Sequence, residues 1–197
     1  MDLDEQRIME KVHEGMMLLE LREFEEAFNI FHELYMQDIF YINVILGQFY
    51  QYGLYVEKDE EQAFIYYSEA SERGYISADY YVAICYEHGI GVEKNEKHAF
   101  YLYSTVAESE SACQKDALYA VARCYNNGIG VEEDERVATK YLVQAANKEC
   151  AEAQYELGKC FFYGKVTVKN EEKAKYWLEQ AVENGYGKAE EFLKENF

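Results

Sequence analysis

The chain has 197 residues, 49% of them hydrophobic and none of them proline, so it can bury a sizeable core and nothing in its composition resists helix from end to end. Asp and Glu number 38 against 19 Lys and Arg, a formal charge of −19. A field of that sign repels nucleic-acid phosphates and anionic membrane surfaces and favours basic partners, which argues against a nucleic-acid or membrane ligand, and no stretch is apolar enough to span a bilayer.

The N-terminal residues MDLDEQRIMEKVHE carry neither the basic nor the apolar segment of a signal peptide. The expected location is the cytoplasm, although delivery through a specialised secretion apparatus needs no such signal. With Gly15 matching the small first-helix position, Ala27, Phe31 and Leu34 the second-helix positions, and REFEEA the turn, residues 8–38 resemble a tetratricopeptide hairpin.

From residue 40 the chain repeats itself. Gly53, Gly89, Gly128 and Gly164 fall 36, 39 and 36 residues apart. Ten residues after each stands an alanine (Ala63, Ala99, Ala138, Ala174), and seven further on a small residue (Ala70, Val106, Ala145, Ala181). Three residues before each stands an aromatic (Tyr50, Tyr86, Tyr125, Phe161), and six before, a glycine or alanine (Gly47, Ala83, Ala122, Gly158). The pattern predicts two helices per unit. The first ends at the glycine, which takes φ > 0 without steric cost. The second starts after Asp59, Asn95, Asp134 or Asn170, whose side-chain oxygens can accept an unpaired N–H of the first turn, and the acidic residues that follow suit the positive end of the helix dipole.

The segment GIGV occurs at 89–92 and again at 128–131. It lacks the third glycine of a dinucleotide fingerprint and the ending of a P-loop, no strand signal precedes it, and Glu93 or Glu132 would face any phosphate. It reads as a turn. Gly91 and Gly130 have Tyr55 and Val166 as counterparts, so the first and last loops are expected to differ in shape. Three extra residues in ESESACQKD, 108–116, predict a change of twist between the second and third units. Residues 186–197 form a final amphipathic helix that covers the last apolar face, as stacked repeats require.

The segment AEAQYELGKCFFYGKVTVKNEEKAKYWLEQAVENG, 151–185, resembles a Sel-one-like repeat (SLR) of the tetratricopeptide-like superfamily, as do 40–74, 76–110 and 115–149. The signature is met best in ALYAVARCYNNGIGVEEDERVATKYLVQAA of the third unit. The resemblance implies an all-α fold, a right-handed α/α superhelix (solenoid) of about four such repeats with ten to eleven helices. Its parts would be a tetratricopeptide-like hairpin at 1–39, repeats at 40–75, 76–114, 115–150 and 151–185, and a capping helix at 186–197, in a single domain.

Cys85, Cys124 and Cys160 share one repeat position, four residues before the glycine. A translational repeat holds them roughly 9 Å apart, too far for a disulfide or common metal ligation, so they are expected to be buried thiols. Cys113 and Cys150 lie near junctions, and Cys113 is the candidate for an exposed thiol. His13, His32, His88 and His98 show no i, i+4 ligand pair and no nearby nucleophile. No catalytic residue, metal or cofactor is expected. Trp177, in register with Tyr66, Leu102 and Tyr141, is expected in the core. The acidic runs 57–61, 93–96, 132–135 and 171–172 fall along one edge, as solvated helix starts or as a rail for a basic partner.

In tetratricopeptide-like superhelices the first helix of each unit lines the concave groove. By resemblance those positions are Val44, Gln48, Gln51 and Tyr52; Tyr80, Ile84, Glu87 and His88; Asp116, Tyr119, Arg123, Asn126 and Asn127; and Glu152, Tyr155, Lys159, Phe162 and Tyr163. The set is rich in tyrosine, an amphipathic anchor with little rotamer entropy to lose. Tyr80, Tyr119 and Tyr155 are expected to form a ladder, with Arg123 and Lys159 beside it. The expected function is a non-enzymatic protein–protein interaction module, an adaptor or scaffold binding a segment of a partner protein. The alternative is an immunity protein or antitoxin-type inhibitor masking a basic toxin or effector.

Overall fold

The computed structural model describes residues 3–165 and 168–197. Among them are eleven α-helices, one 3-10 turn at Phe40–Ile42 and no strand. The chain divides into two compact units, Met1–Lys94 and Asn95–Phe197. The first holds α1 (Leu3–Glu20), α2 (Phe24–Met36), α3 (Asn43–Tyr52), α4 (Glu60–Glu72) and α5 (Ile76–His88). The second holds α6 (Glu96–Ala107), α7 (Gln114–Asn127), α8 (Glu135–Asn147), α9 (Ala151–Tyr163), α10 (Glu171–Glu183) and α11 (Gly187–Asn196).

Local chemistry sets these boundaries. Asp59 and Asn170 each accept one first-turn N–H, from Gln62 and Lys173, at 2.9 Å, and Asn95 accepts from His98 at 3.1 Å. Asp134 accepts two, from Arg136 at 2.9 Å and Val137 at 3.0 Å. The four first helices end at Gly53, Gly89, Gly128 and Gly164, all left-handed with φ between 66° and 72°. The N–H groups of Asp59, Asp134 and Asn170 then return to the carbonyls of Tyr50, Tyr125 and Phe161 at 2.9 Å. GIGV closes a turn onto its own helix: at 89–92 the N–H groups of Gly89 and Ile90 both return to the carbonyl of Cys85, at 2.8 and 3.0 Å.

The first loop departs from expectation. Tyr55 adopts φ 66°, matching Gly91 at 65° and Gly130 at 69°, so this position keeps the left-handed conformation although the residue is not glycine. Its side chain reaches back to α2: the Tyr55 hydroxyl donates to Glu25 at 3.1 Å and its ring lies 5.8 Å from that of Phe28. Val166, the counterpart in the last loop, lies outside the described residues.

In the first unit Ala27, Phe31, Leu34, Ile42, Leu46, Phe49 and Tyr66 form one apolar cluster. Gly15 and Gly47 admit large rings: an added Cβ would stand 2.7 Å from Phe31 and 2.4 Å from Tyr67. In the second unit Gly158 does the same for Leu178, at 2.8 Å, and Leu178 joins Ala181 and Ala189 in a cluster bordered by Tyr155, Tyr186 and Phe192. All five cysteines are free. Cys85 and Cys124 are fully buried, Cys113 is buried rather than exposed, and Cys160 is only half-buried. Trp177 is likewise half-buried, its ring 5.1 Å from that of Tyr176, whereas Tyr66 and Leu102 of the same register are buried.

Candidate functional site

The second unit carries a cleft of about 630 Å³ between α7, α8 and α9. From α7 come Tyr119, Ala122, Arg123, Asn126 and Asn127; from α8, Glu135, Ala138, Thr139 and Leu142; from α9 and its end, Glu156, Cys160 and Lys165. A volume of that size falls in the range of about 300–1,000 Å³ typical of ligand pockets. Four candidate binding residues, Tyr119, Arg123, Asn126 and Asn127, meet here. α9 was expected to contribute to a groove through Tyr155, Lys159, Phe162 and Tyr163, whereas the cleft is lined by Glu156, Cys160 and Lys165 instead, and no α8 residue was expected in it.

The cleft exists because of what α8 lacks. Eleven residues after the repeat glycine stand Phe64 and Phe100 in the first two repeats but Thr139 in the third; fourteen residues after it stand Tyr67 and Tyr103 but Leu142. Phe64 and Phe100 each pack edge-on against the next aromatic in register, Tyr86 at 5.5 Å and Tyr125 at 5.4 Å. Tyr67 and Tyr103 are each only 1% exposed. Removing both rings from the third repeat uncovers Cys160, whose equivalents Cys85 and Cys124 are sealed. The fourth repeat also has leucine, Leu178, yet Gly158 lets it settle close to α9 and it is fully buried. The third repeat pairs Leu142 with the bulkier Ala122.

Charge in the cleft is mixed, with Arg123 and Lys165 against Glu135 and Glu156. Partial burial disfavours the Tyr119 phenolate, the charges of Glu156 and Tyr186 add to this, and Arg123 opposes it; the hydroxyl is pushed up to about 12. Burial raises the Cys160 thiol in the same sense, so it is held as a neutral thiol. Asn126 donates to Asn127 Oδ1 at 2.9 Å, and both amides are exposed.

The candidate residues of α9 lie beside the cleft under the last helix. Tyr155 meets Tyr186 at 5.1 Å and Phe192 at 6.1 Å between ring centroids. Phe162 meets Phe192 at 5.3 Å and Phe197 at 5.5 Å, and Tyr163 meets Phe192 at 6.2 Å. Lys159 bonds Glu156 at 3.0 Å and lies 4.8 Å from the Tyr155 ring. Burial works against its charge, but the hydrogen bond and charge of Glu156 outweigh that and raise its pKa.

In the first unit Tyr52 and His88 are exposed and Tyr80 and Ile84 half-buried. His88 stands 3.9 Å from the carboxylate of Glu87, which is buried, as is Val44. Tyr80 meets Tyr81 edge-on at 5.6 Å; Tyr81 stacks on Tyr67 at 5.3 Å, and the Tyr67 hydroxyl donates to Gln51 at 2.7 Å. Among the described residues no group of three His, Cys, Asp or Glu is placed to hold a metal ion, and no helix is long and apolar enough to cross a membrane.

Paired helices in register, the first of each repeat ended by a left-handed glycine and the second opened by an Asx cap, define an α/α repeat solenoid. The Sel1 repeat model matches residues 44–75, 76–110, 115–150 and 151–186, and the chain belongs to the Sel1 repeat family. Sel1 repeats as a class are protein–protein interaction modules. Among solved structures, the chain is similar to a Sel1 repeat protein from Oxalobacter formigenes, with 24% identity over 92% of this chain and 73% of that one and a TM-score of 0.78. It is similar to c5321, a protective antigen with an SLR fold from uropathogenic Escherichia coli strains, with 25% identity over 86% of this chain but 36% of that one and a TM-score of 0.66. A Sel1 repeat protein from Klebsiella pneumoniae subsp. pneumoniae shares 20% identity over 94% of this chain and 90% of that one, with a TM-score of 0.65. No curated protein matches the chain.

Proposed function

We propose that this protein is a non-enzymatic interaction module, an adaptor or scaffold that holds a segment of a partner protein against the α7–α9 face of its second unit. The observation that carries this reading is the cleft of about 630 Å³ in which Tyr119, Arg123 and the amides of Asn126 and Asn127 converge. Tyrosine and arginine are among the residues enriched at interface hot spots. Lys159, Tyr155, Phe162 and Tyr163 extend that face, and Tyr52, Tyr80, Ile84 and His88 offer the first unit's own contacts. The charge of −19 supports a basic partner, drawn in by long-range attraction and then held by short-range contacts.

The test is affinity capture with cross-linking mass spectrometry, comparing the wild type with Tyr119→Ala and Arg123→Ala. The expected result is a partner cross-linked near the cleft and lost from both variants while their melting temperatures hold. Undiminished capture by folded Tyr119→Ala and Arg123→Ala would remove this face as the docking site.

A further inference from the structure

The geometry points to the cleft between α7, α8 and α9 as a receptor for a tyrosine side chain presented by the partner, the ring entering where Tyr67 and Tyr103 stand in the earlier repeats. This deepens, and rests on, the reading of that face as a docking surface. The argument comes from the chain's own internal template. In the first repeat the Tyr67 ring lies on Gly47, stacks on Tyr81 and gives its hydroxyl proton to Gln51 at 2.7 Å. By repeat register the counterparts of those three contacts are Ala122, Glu156 and Asn126. All three line the cleft.

The third repeat has thus kept a floor of small residues and an amide able to accept a phenol proton, while the ring itself is replaced by Leu142. Thr139, in place of Phe64 and Phe100, widens the mouth. An incoming phenol would bury its ring against Ala122, Ala138 and Leu142 and donate its hydroxyl to Asn126, so that its one donor has a partner. Glu156 stands where the template has the stacking ring of Tyr81, so one wall is polar; its carboxylate is a second acceptor for the hydroxyl. A phenylalanine would fill the same volume but leave those acceptors unused, and an aliphatic side chain would fill less of it.

Two measurements test the assignment. In the first, N-acetyl-tyrosinamide, N-acetyl-phenylalaninamide and N-acetyl-leucinamide are titrated into the full chain and followed by amide chemical shifts. Saturable shifts confined to Arg123, Asn126, Thr139 and Leu142, with the tyrosine probe ahead of the phenylalanine probe about 3-fold or more and leucine weakest, are expected. Diffuse or non-saturating shifts, or leucine equal to tyrosine, overturn the proposal.

In the second, Leu142→Tyr supplies the missing ring from within. It should raise the melting temperature by about 2–4 °C, the shift that accompanies roughly 1 kcal/mol in a chain of this length, and abolish the response to the tyrosine probe. A lower melting temperature, or a probe response that survives the substitution, sinks it; Thr139→Phe, which narrows the mouth only, provides an independent variant with the same expected loss of probe binding. Partner capture separates the two levels. A partner lost from Tyr119→Ala but retained by Leu142→Tyr leaves the docking face standing without its tyrosine receptor. A probe that binds while capture ignores Tyr119 and Arg123 leaves the receptor without that face as the docking surface.

Discussion

Gly89 and Gly91 both take the left-handed conformation, at φ 72° and 65°, but their surroundings differ. A Cβ on Gly89 would meet nothing closer than Lys94 Cβ at 3.5 Å, whereas one on Gly91 would stand 2.0 Å from the carbonyl oxygen of Glu60. Gly89→Ala should therefore cost only the left-handed strain, about 1–2 kcal/mol. Gly91→Ala should add overpacking against immovable backbone and cost about 2–5 kcal/mol in all. Urea unfolding midpoints check this, and equal losses would mean that the loop does not approach α4 so closely. Tyr119 supplies a second prediction. Its pKa is raised in the folded state from 10.0 to about 12. The stability it contributes is then complete below pH 10 and disappears as pH rises through about 12. Tyr119→Phe should remove one late-ionising phenol from an ultraviolet tyrosinate titration and lessen the loss of stability over that window. Loss of a phenol from the main titration near pH 10, with the late-ionising component unchanged, would place Tyr119 in water.

Between elements, the fit of α8 differs from that of its counterpart α10. Ala174 is fully buried, and its carbonyl oxygen would lie 3.2 Å from a Cβ on Gly158, so α9 and α10 approach closely. Ala138, at the same repeat position, borders the cleft and is 6% exposed. Ala174→Leu should cost about 1–3 kcal/mol by overpacking, while Ala138→Leu, with the cleft beside it to take the added methyls, should cost less. Thermal unfolding of the pair decides the matter, since equal costs would mean that α8 is packed as tightly as α10. The same fit explains the cysteines. Cys124 is sealed and Cys160 half-open because the rings that would cover Cys160 are missing from α8.

For the molecule as a whole, 38 acidic against 19 basic residues means that the folded chain works against its own charge. The ion pairs that relieve this are mostly exposed, such as Lys58 with Glu60 at 2.7 Å and Lys169 with Glu171 at 2.9 Å, and pairs of that kind contribute little. Screening should then help more than it harms. Raising the salt from about 0.01 M to 0.15 M shortens the Debye length from roughly 30 Å to 8 Å, and the melting temperature should rise. A fall would show that attractive pairs outweigh the net repulsion. In the presence of a basic partner the same salt change should slow association, because steering depends on the field that salt removes.

Helix boundaries and loop turns were legible because each is decided within a few residues. An Asp or Asn caps the N–H groups two or three positions ahead, and a glycine needs only its own φ to end a helix. Tyr55 marks the edge of that rule, since it takes a glycine's φ without being glycine and its side chain contacts Glu25 and Phe28, far away in sequence. The register also contained the signal for the cleft, in Thr139 and Leu142 standing where rings stand in earlier repeats. Its consequence was not legible. A smaller side chain leaves a cleft only if the facing helix does not close on it, and Gly158 allows that closure at Leu178 while Ala122 does not at Leu142. In the same way Tyr155, Phe162 and Tyr163 read as groove residues along one helix, and only the docking of α11 decided that their rings meet Tyr186, Phe192 and Phe197. The sequence by itself determined the repeat, its caps and its turns, because these are local hydrogen-bond and dihedral constraints. Tertiary structure alone decided where volume was left unfilled, because packing is a property of several helices at once.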